Sequence, residues 1–395
     1  MPLSFSEHTA AGAPGDFMRV RHLVLRGSQF EIGARLAQTG LAEHGLRKAP
    51  AAEPLKVRAQ RRYMQKNFPL HYERMRGAAA ALGVDLEKDE VDCSYLNYAP
   101  RLPACSTVFY PPHRTADSHS VLSRSFDFTT GTFTAAPPAP GEPPAASRPY
   151  VIEAYPDEGY PSLYLAAFDL LAGCTDGINA AGLMVALNAD AESAAGFPLQ
   201  PAFGSAVGVS EIQLQRLLLD TCATVDEAKD LLLETKHFYM CAPCHYLIAD
   251  RSGRSFVWEF SSARNTEYVI DGQGRVQILT NHLLHRHPSK DDLPCENFAA
   301  GTFARFRALA GQIDLADRPL SREQIAAVHA SVSITDESYP EPQQVPDRTL
   351  WHAVYDADAL TLDVDFYLGD ETPPAGPLKR KPRRSGYIHF ALQKN

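Results

Sequence analysis

The sequence predicts an α+β fold in which antiparallel sheets are covered by helices. Three observations lead to this prediction. The first hundred residues are mainly helical in pattern, strand-like segments begin at Cys105, and one helix pair over 209–235 separates two runs of strands. Further helical segments follow near the end of the chain. Runs of strands with helices grouped before, between and after them are typical of sheets packed against helices.

Composition places the chain among soluble globular proteins. Its 395 residues are 45% hydrophobic and 22% charged, which allows one large domain or two ordinary ones. The net charge of −9 argues against nucleic acid or an anionic membrane surface as the main partner. No apolar run reaches the ~18 residues of a membrane-spanning helix. The seven scattered cysteines and the absence of a basic, apolar leader predict reduced thiols and a cytoplasmic location.

The first hundred residues are expected to contain a tail, one strand and several helices. Residues 1–17 are expected to be a mobile tail. The segment Arg19–Arg26 predicts a strand, because its apolar centre lies between basic ends. A helix is expected from Phe30 to about His44. Apolar residues recur near helical spacing over 53–83, which predicts a long helix, and a shorter one is expected over Asp85–Tyr98.

After Cys105 the pattern is one of strands. A Pro- and Ala-rich segment, 135–149, has too little apolar bulk to pack and predicts a long surface loop. Helices are expected at about Asn297–Gly311 and after Ser321. Strands are expected in STVFY, SVLSRSFDF, Tyr150–Tyr155, Ser162–Phe168, Ala172–Ile178, Leu183–Leu187, CHYLIAD, SFVWEF, TEYVI, VQILTN, WHAVYD, LTLDVDFYL and YIHFAL.

Cys105 is the candidate nucleophile. Pro103 disfavours a helix just before it. Arg124 and Asp127 follow 19 and 22 residues later, and two strands joined by a turn can bring all three side chains to one spot. Positive charge lowers the pKa of a thiol and so activates it. The alternatives are a small buried apolar cysteine and an ordinary ion pair.

Several stretches of the chain match the motifs of a known family in their order and spacing. They are Gly27–Gly33, Cys105-Ser-Thr, Arg124-Ser-Phe-Asp127, Asp176–Asn188, Leu279-Thr-Asn281-His and Thr302-Phe-Ala-Arg305-Phe. Together they resemble the N-terminal-nucleophile (Ntn) cysteine hydrolases of the choloylglycine hydrolase and acyl-coenzyme A:6-aminopenicillanic acid acyltransferase group. These enzymes are also called linear amide C–N hydrolases or peptidase C45-like proteins. The resemblance extends from Gly27 to about Leu368.

The resemblance implies a four-layer αββα sandwich with two stacked antiparallel sheets. It also implies that the precursor cuts itself between Ala104 and Cys105. Residues 1–104 would then be a mainly helical pro-segment or small subunit, and 105–395 the catalytic segment, packed together as one domain. The chain departs from the family pattern in the slightly longer spacing of its first motifs, in the Pro-rich loop and in His282, where many relatives carry a small residue.

The family's functional residues carry over to six positions. Cys105 would attack an amide or thioester carbonyl, and its own α-amine would carry the proton to the leaving group. Arg124 would favour the thiolate, and Asp127 would hold the α-amine. The resemblance assigns oxyanion donation to Asn188 and Asn281 and ordering of the site to Arg305. The alternatives are turn-forming asparagines at strand ends and an arginine on a solvated helix face.

No cofactor and no metal are expected. Cys241-Ala-Pro-Cys244-His245 has the c-type haem spacing, but CHYLIAD reads as a strand and no export signal precedes it. A zinc site would need Cys241 and Cys244 together with one of the later histidines, and these lack a regular ligand spacing. The histidines concerned are His282, His285 and His287.

The sequence favours a self-processing cysteine amidohydrolase that cleaves a linear amide in a small N-acyl compound. One alternative is an acyltransferase that moves an acyl group from a thioester such as acyl-coenzyme A to an amine. Another is an unprocessed, non-catalytic binding protein, which is disfavoured because five site residues are intact: Cys105, Arg124, Asp127, Asn188 and Asn281. The expected partners are a small-molecule substrate and the chain's own second fragment, without nucleic acid or membrane.

Overall fold

The structure is a computed structural model that describes residues 3–44, 53–96, 104–132, 143–167, 169–196, 206–240, 242–261, 264–296, 298, 300–339, 343–371 and 379–393. The helices in these ranges are α1 (Gln29–His44), α2 (Pro54–Asn67), α3 (Pro69–Leu82), α4 (Ala191–Gly196), α5 (Gln213–Thr221), α6 (Val225–Glu234), α7 (Thr302–Asp314) and α8 (Arg322–Ala330). None of them is long and apolar enough to cross a bilayer.

The strands of the described ranges form two sheets. They are β1 (Ser4–Ala11), β2 (Val20–Gly27), β3 (Ala104–Tyr110), β4 (Val121–Thr129), β5 (Tyr150–Pro156), β6 (Ser162–Ala166), β7 (Asp176–Asn179), β8 (Met184–Ala189), β9 (Cys244–Ala249), β10 (Ser255–Ser261), β11 (Thr266–Asp271), β12 (Gln277–Leu279), β13 (Asp347–Asp356), β14 (Thr361–Asp370) and β15 (Pro382–Ala391). The nine-stranded sheet has the order β1-β2-β5-β6-β7-β8-β9-β10-β11, and the six-stranded sheet has the order β12-β3-β4-β13-β14-β15.

The two sheets stack face to face and helices cover both outer faces. Helices α1, α5 and α6 contact the nine-stranded sheet, and α3 packs on α1. Helices α7 and α8 contact the six-stranded sheet at β3, β4 and β12, while β3 faces β8 and β9 of the opposite sheet. The chain therefore has the predicted four-layer αββα architecture.

Strand pairing is antiparallel in these sheets except at one place. Strand β2 pairs in parallel with β5, in a register that runs from Arg21 opposite Tyr150 to Gly27 opposite Pro156. A parallel neighbour needs a long crossover connection. Helices α1 to α3 and the β3–β4 hairpin lie between the two strands in sequence and provide it.

The mobile tail predicted over 1–17 is wrong over residues 4–11. Residues Ser4–Ala11 form β1, which pairs with β2 along the edge of the nine-stranded sheet. The strand is largely exposed, so it carries no apolar alternation that would have predicted it. Charge helps to hold it in place, because Glu7 pairs with Arg21 at 2.7 Å and with Arg35 at 2.9 Å.

The single long helix expected over 53–83 is two helices. Helix α2 ends before Phe68, and α3 begins at Pro69, whose ring cannot continue a helix. The helix expected over Asp85–Tyr98 is also wrong in its described part, which contains only a 3₁₀ turn at Leu86–Lys88. Its last two residues lie outside the described ranges, as do residues 133–142, which include most of the Pro-rich loop.

Candidate active site

Cys105 lies on the inner face of the six-stranded sheet. Strands β3 and β4 pair so that Cys105 is opposite Phe126 and Thr107 is opposite Arg124, and opposite residues share a face. Cys105 is fully buried and belongs with Phe126 to the main hydrophobic core. The thiol therefore points between the two sheets.

Arg124 connects the thiol to the opposite sheet. Its Nη2 donates to Cys105 Sγ at 3.2 Å, and its Nη1 donates to Asp176 Oδ1 of β7 at 2.8 Å. Nη2 also donates to the carbonyl of Leu187 in β8 at 2.8 Å. Tyr355 donates to the other oxygen of Asp176 at 3.0 Å. A fully buried guanidinium is thus held by a fully buried carboxylate, with the thiol beside it.

The burial of Cys105 favours its neutral thiol over the thiolate. Burial raises the pKa of Cys105 to about 11, and the charge of Arg124 lowers it by less than burial raises it. An added positive charge or a more solvated thiol would move this pKa toward neutrality.

Asp127 does not join Cys105 and Arg124 at one spot, contrary to the expectation from the sequence. Side chains alternate along a strand, so residues three apart lie on opposite faces. Asp127 is opposite Ala104 on the outer face of β4, where Thr349 donates to its Oδ1 at 2.5 Å. Its Oδ2 is buried, accepts no hydrogen bond within the described ranges and lies 4.0 Å from Arg305 Nη1. Burial raises the pKa of this carboxyl, which Arg305 opposes.

Asn281 and Arg305 hold the backbone of Cys105. The backbone N–H of Cys105 donates to Asn281 Oδ1 at 3.1 Å, and Arg305 Nη2 donates to the same oxygen at 2.6 Å. Arg305 Nη1 donates to the carbonyl of Cys105 at 2.6 Å and to Ser106 Oγ at 2.8 Å. Arg305 is only 6% exposed, so it is not on a solvated helix face. The backbone nitrogen and carbonyl of Cys105 are therefore both fixed from the outer face.

The two asparagines are placed differently. Asn281 uses one amide hydrogen on the carbonyl of Ala189, at 2.9 Å, which leaves its second hydrogen for another acceptor. Asn188 donates to the carbonyls of Leu279 and Thr280 at 3.0 and 2.9 Å, which uses both of its hydrogens. Thr107 donates to the Oδ1 of Asn188 at 2.8 Å. In this arrangement Asn188 ties β3, β8 and the end of β12 together, and of the two asparagines only Asn281 has an amide hydrogen without a partner among the described residues.

Sequence reasoning did not assign roles to Asp176, Thr349 and Thr302. Thr349 binds Asp127, and Thr302 accepts the backbone N–H of Asn281 at 2.8 Å. Asp176 opens the motif that ends at Asn188, and a carboxylate inside an otherwise apolar run was the available signal. The two threonines carry no such signal, because hydroxyl residues are common at strand ends and helix starts.

The histidines considered for zinc are already engaged. His245 and His285 both contact Glu259, at 3.1 and 2.6 Å. His282 Nδ1 lies 3.1 Å from the hydroxyls of Thr280 and Thr302. His287 Nε2 contacts Glu192 at 3.2 Å. Cys241, the first residue of the haem-like motif, lies outside the described residues.

Comparison with known proteins identifies the family. The family model "Acyl-coenzyme A:6-aminopenicillanic acid acyl-transferase" matches residues 141–371, which is more than half of the chain. The chain belongs to this acyltransferase family. Its matched region includes Asn188, Asn281 and Arg305, whereas Cys105, Arg124 and Asp127 lie upstream of it.

Two solved structures resemble this member of the acyltransferase family. Penicillin V acylase from Agrobacterium tumefaciens is 17% identical with a TM-score of 0.41, over 69% of this chain and 78% of that one. A mutant conjugated bile acid hydrolase from Clostridium perfringens is 14% identical with a TM-score of 0.47, over 74% of this chain and 97% of that one. No curated protein matches the chain.

Proposed function

We propose that this chain is a self-processing amidohydrolase whose nucleophile is Cys105 and whose substrate is a small N-acyl compound with a linear amide bond. Membership of the acyltransferase family supports an enzyme that breaks or forms such amides. The observation that carries the proposal is the set of side chains placed around the backbone nitrogen of Cys105. The N–H of Cys105 is held by Asn281, and the opposing residue pair places the carboxyl of Asp127 beside the Ala104 side of the same peptide.

Self-cleavage would begin with attack of Cys105 Sγ on the carbonyl of Ala104. A C–S bond forms, the C–N bond to Cys105 breaks, and the nitrogen leaves as a free α-amine. Water then hydrolyses the thioester and releases the upstream segment. The new amine is positively charged when protonated, and the buried Oδ2 of Asp127 offers it the hydrogen-bond acceptor that it needs.

Processing would also shift the nucleophile from the neutral thiol toward the thiolate. An α-amine has a pKa of ~7.7–8.0, so near neutral pH it can take the thiol proton as an internal general base. Its ammonium form adds positive charge beside a thiol whose pKa burial holds at about 11 in the uncut chain. Arg124 and the new terminus together would then favour the thiolate.

Turnover would repeat the same chemistry on a substrate. Sγ attacks the amide carbonyl, the second amide hydrogen of Asn281 stabilises the oxyanion, and the α-ammonium protonates the leaving amine. Water releases the acyl group from the thioester. Arg305 would keep Asn281 and the Cys105 backbone in register during both reactions.

The decisive experiment is the mass and N-terminal sequence of the purified protein. Processing gives fragments of 104 and 291 residues, and the larger one begins Cys-Ser-Thr-Val-Phe. Cys105→Ala should remain one chain, whereas Cys222→Ala, a change at another buried cysteine, should process normally. A wild-type protein that stays at full length and cleaves no amide would support the non-catalytic binding protein instead.

Acyl transfer is the second candidate, since the family model is named for it. Both reactions pass through the same acyl-thioester, so they differ only in whether water or an amine accepts the acyl group. Product analysis with a 4-nitroanilide amide or an acyl-coenzyme A donor, each with and without a primary amine, separates them. Acyl transfer that is faster than hydrolysis at millimolar amine would identify the protein as a transferase. The cytoplasmic location stays a prediction.

A further inference from the structure

A buried ion pair lies behind the segment that carries Asn281. His245 on β9 and Glu259 on β10 are both fully buried, with Nδ1 of the imidazole 3.1 Å from Oε1 of the carboxylate. His245 is the last residue of the haem-like motif, and neither residue contacts Cys105 directly. Two charged groups are costly to bury, so their retention here calls for a role.

The hydrogen-bond partners fix the protonation state of the pair. His245 Nε2 lies 2.9 Å from the carbonyl oxygen of Thr280, which can only accept, so this nitrogen carries a proton. Glu259 accepts the backbone N–H groups of Leu284 and His285 at 2.7 and 3.1 Å. Nδ1 of His245 faces this carboxylate, and although burial opposes it, the bond to Glu259 raises the pKa of His245, which favours the imidazolium. Although burial opposes it, the bonds from His245 and His285 lower the pKa of Glu259 to about 2.

The His245–Glu259 pair binds the backbone before and after Asn281. On one side, His245 donates to the carbonyl of Thr280, the residue just before it. On the other side, Glu259 binds the backbone of Leu284 and His285. The same carboxylate thus anchors the segment at two places, one directly and one through the imidazolium. The Asn281 side chain between them contacts the Cys105 nitrogen and Arg305.

We propose that His245 and Glu259 are positioning residues that set Asn281 for self-cleavage and for substrate turnover. This inference rests on the proposed function. The N–H of His245 fixes the Thr280 carbonyl together with the amide of Asn188, and the peptide that follows fixes where the Asn281 amide lies. A donor to the Thr280 carbonyl is therefore the essential property of residue 245, and its charge matters because Glu259 is buried opposite it.

Two double variants isolate this property. His245→Gln/Glu259→Gln removes both charges but keeps an amide donor for Thr280 and one carbonyl oxygen that can accept from Leu284 or from His285. His245→Leu/Glu259→Gln is also neutral, but its residue 245 can no longer donate to Thr280, whose carbonyl keeps the hydrogen bond from Asn188. We call the two the Gln variant and the Leu variant, after residue 245. Both self-processing and substrate turnover should be at least ten-fold slower in the Leu variant than in the Gln variant. Their KM values should differ by less than two-fold.

A role in stability alone gives a different result. It would lower the melting temperature of the Leu variant and leave kcat per folded molecule equal to that of the Gln variant. Equal processing rates and equal kcat in the two variants would therefore overturn the inference. The matched control is Glu153→Gln, which disrupts a second buried histidine–glutamate pair, His22–Glu153, far along the same sheet. Its processing should stay within two-fold of wild type.

The order of measurement separates this inference from the proposed function. Wild-type protein is tested first for a chain that begins at Cys105 and for hydrolysis of an N-acyl-4-nitroanilide. Absence of both overturns the proposed function and this inference with it. An active wild type with indistinguishable double variants overturns this inference alone.

Discussion

Arg124 and Asp127 stand three residues apart on β4 and act on opposite sides of Cys105. Arg124 reaches Sγ between the sheets at 3.2 Å, whereas Asp127 faces outward opposite Ala104. The odd spacing is what separates them, because alternate residues of a strand face alternate sides. One charge is thereby placed at the thiol and the other at the peptide bond before it.

Asp127→Asn should yield mature protein with low activity. The substitution keeps the size of the side chain and the acceptor for Thr349 but removes the charge proposed to hold the α-amine. Because that amine exists only after cleavage, turnover should fall at least as much as maturation. Gel analysis of maturation and kcat of the isolated mature form check this. Normal turnover in the mature variant would remove Asp127 from the mechanism.

Asn281→Ala should slow the chemical step by roughly 10²–10³, the usual effect of losing one oxyanion donor. Iodoacetamide should still label Cys105 in this variant, because alkylation develops no oxyanion. The measurement is kcat together with the rate of thiol labelling. If the variant matures and turns over at the wild-type rate, Asn281 is only a structural residue.

Asn188→Ala should act mainly on stability. It leaves the buried carbonyl of Leu279 and the hydroxyl of Thr107 without the Asn188 partner, while the Thr280 carbonyl keeps its bond from His245, and this should cost about 2–4 kcal/mol in the free energy of unfolding. Denaturant unfolding of the variant measures this cost. A loss of kcat as large as that of Asn281→Ala, at unchanged stability, would instead make Asn188 the oxyanion donor that the sequence predicts.

Asp176→Asn should be strongly destabilising, because it leaves the buried guanidinium of Arg124 without a counter-charge. Breaking one side of a buried pair costs about 3–5 kcal/mol. Asp271→Asn is the matched control, since its pair with Lys229 is partly exposed and should contribute about 0–1 kcal/mol. Similar unfolding curves for the two variants would show that Arg124 is stabilised by the Leu187 carbonyl instead.

Asp169 should make stability fall as pH rises. Burial raises the pKa of this carboxyl to about 7, although backbone N–H groups bind its Oδ1. A folded pKa above the unfolded one means that the stability contributed by the proton is complete below about pH 4 and is lost as pH rises through about 7. The free energy of unfolding of Asp169→Asn should therefore increase relative to that of wild type between pH 5 and pH 8.5, by at most roughly 4 kcal/mol. Parallel pH dependences of the two melting temperatures would contradict this.

Periodicity in most strands and helices predicted antiparallel sheets covered by helices, whereas the four-layer stacking followed from the family resemblance. Periodicity failed at β1, where exposure on both faces leaves no apolar pattern, and at Pro69, where one continuous helical pattern hid a break. The parallel pairing of β2 with β5 could not be predicted from the sequence either. That pairing is set by how the intervening helices pack, which the residues of the two strands do not encode.

For the site, the sequence selected six residues but could not assign their hydrogen bonds. Arg124 contacts the Cys105 thiol, and Asn281 and Arg305 contact the Cys105 backbone, whereas Asn188 binds other residues and Asp127 faces the outer side of β4. Asn188 and Asn281 both end a strand or follow one, and only the surrounding carbonyls decide which amide has a hydrogen to spare. The hydrogen bonds of Glu259 could not be predicted either, because its partners lie 14 to 26 residues away in sequence.

The parallel pairing of β2 with β5 means that the segment before Cys105 cannot be a disposable leader. It supplies two strands of the nine-stranded sheet, and buried Arg74 of α3 forms an ion pair with Asp220 of α5. A gene that began at Cys105 would encode a chain whose buried strand β5 is an open edge, and open apolar edges promote aggregation. Recombinant production of the mature form should therefore need the full-length gene or the two halves expressed together.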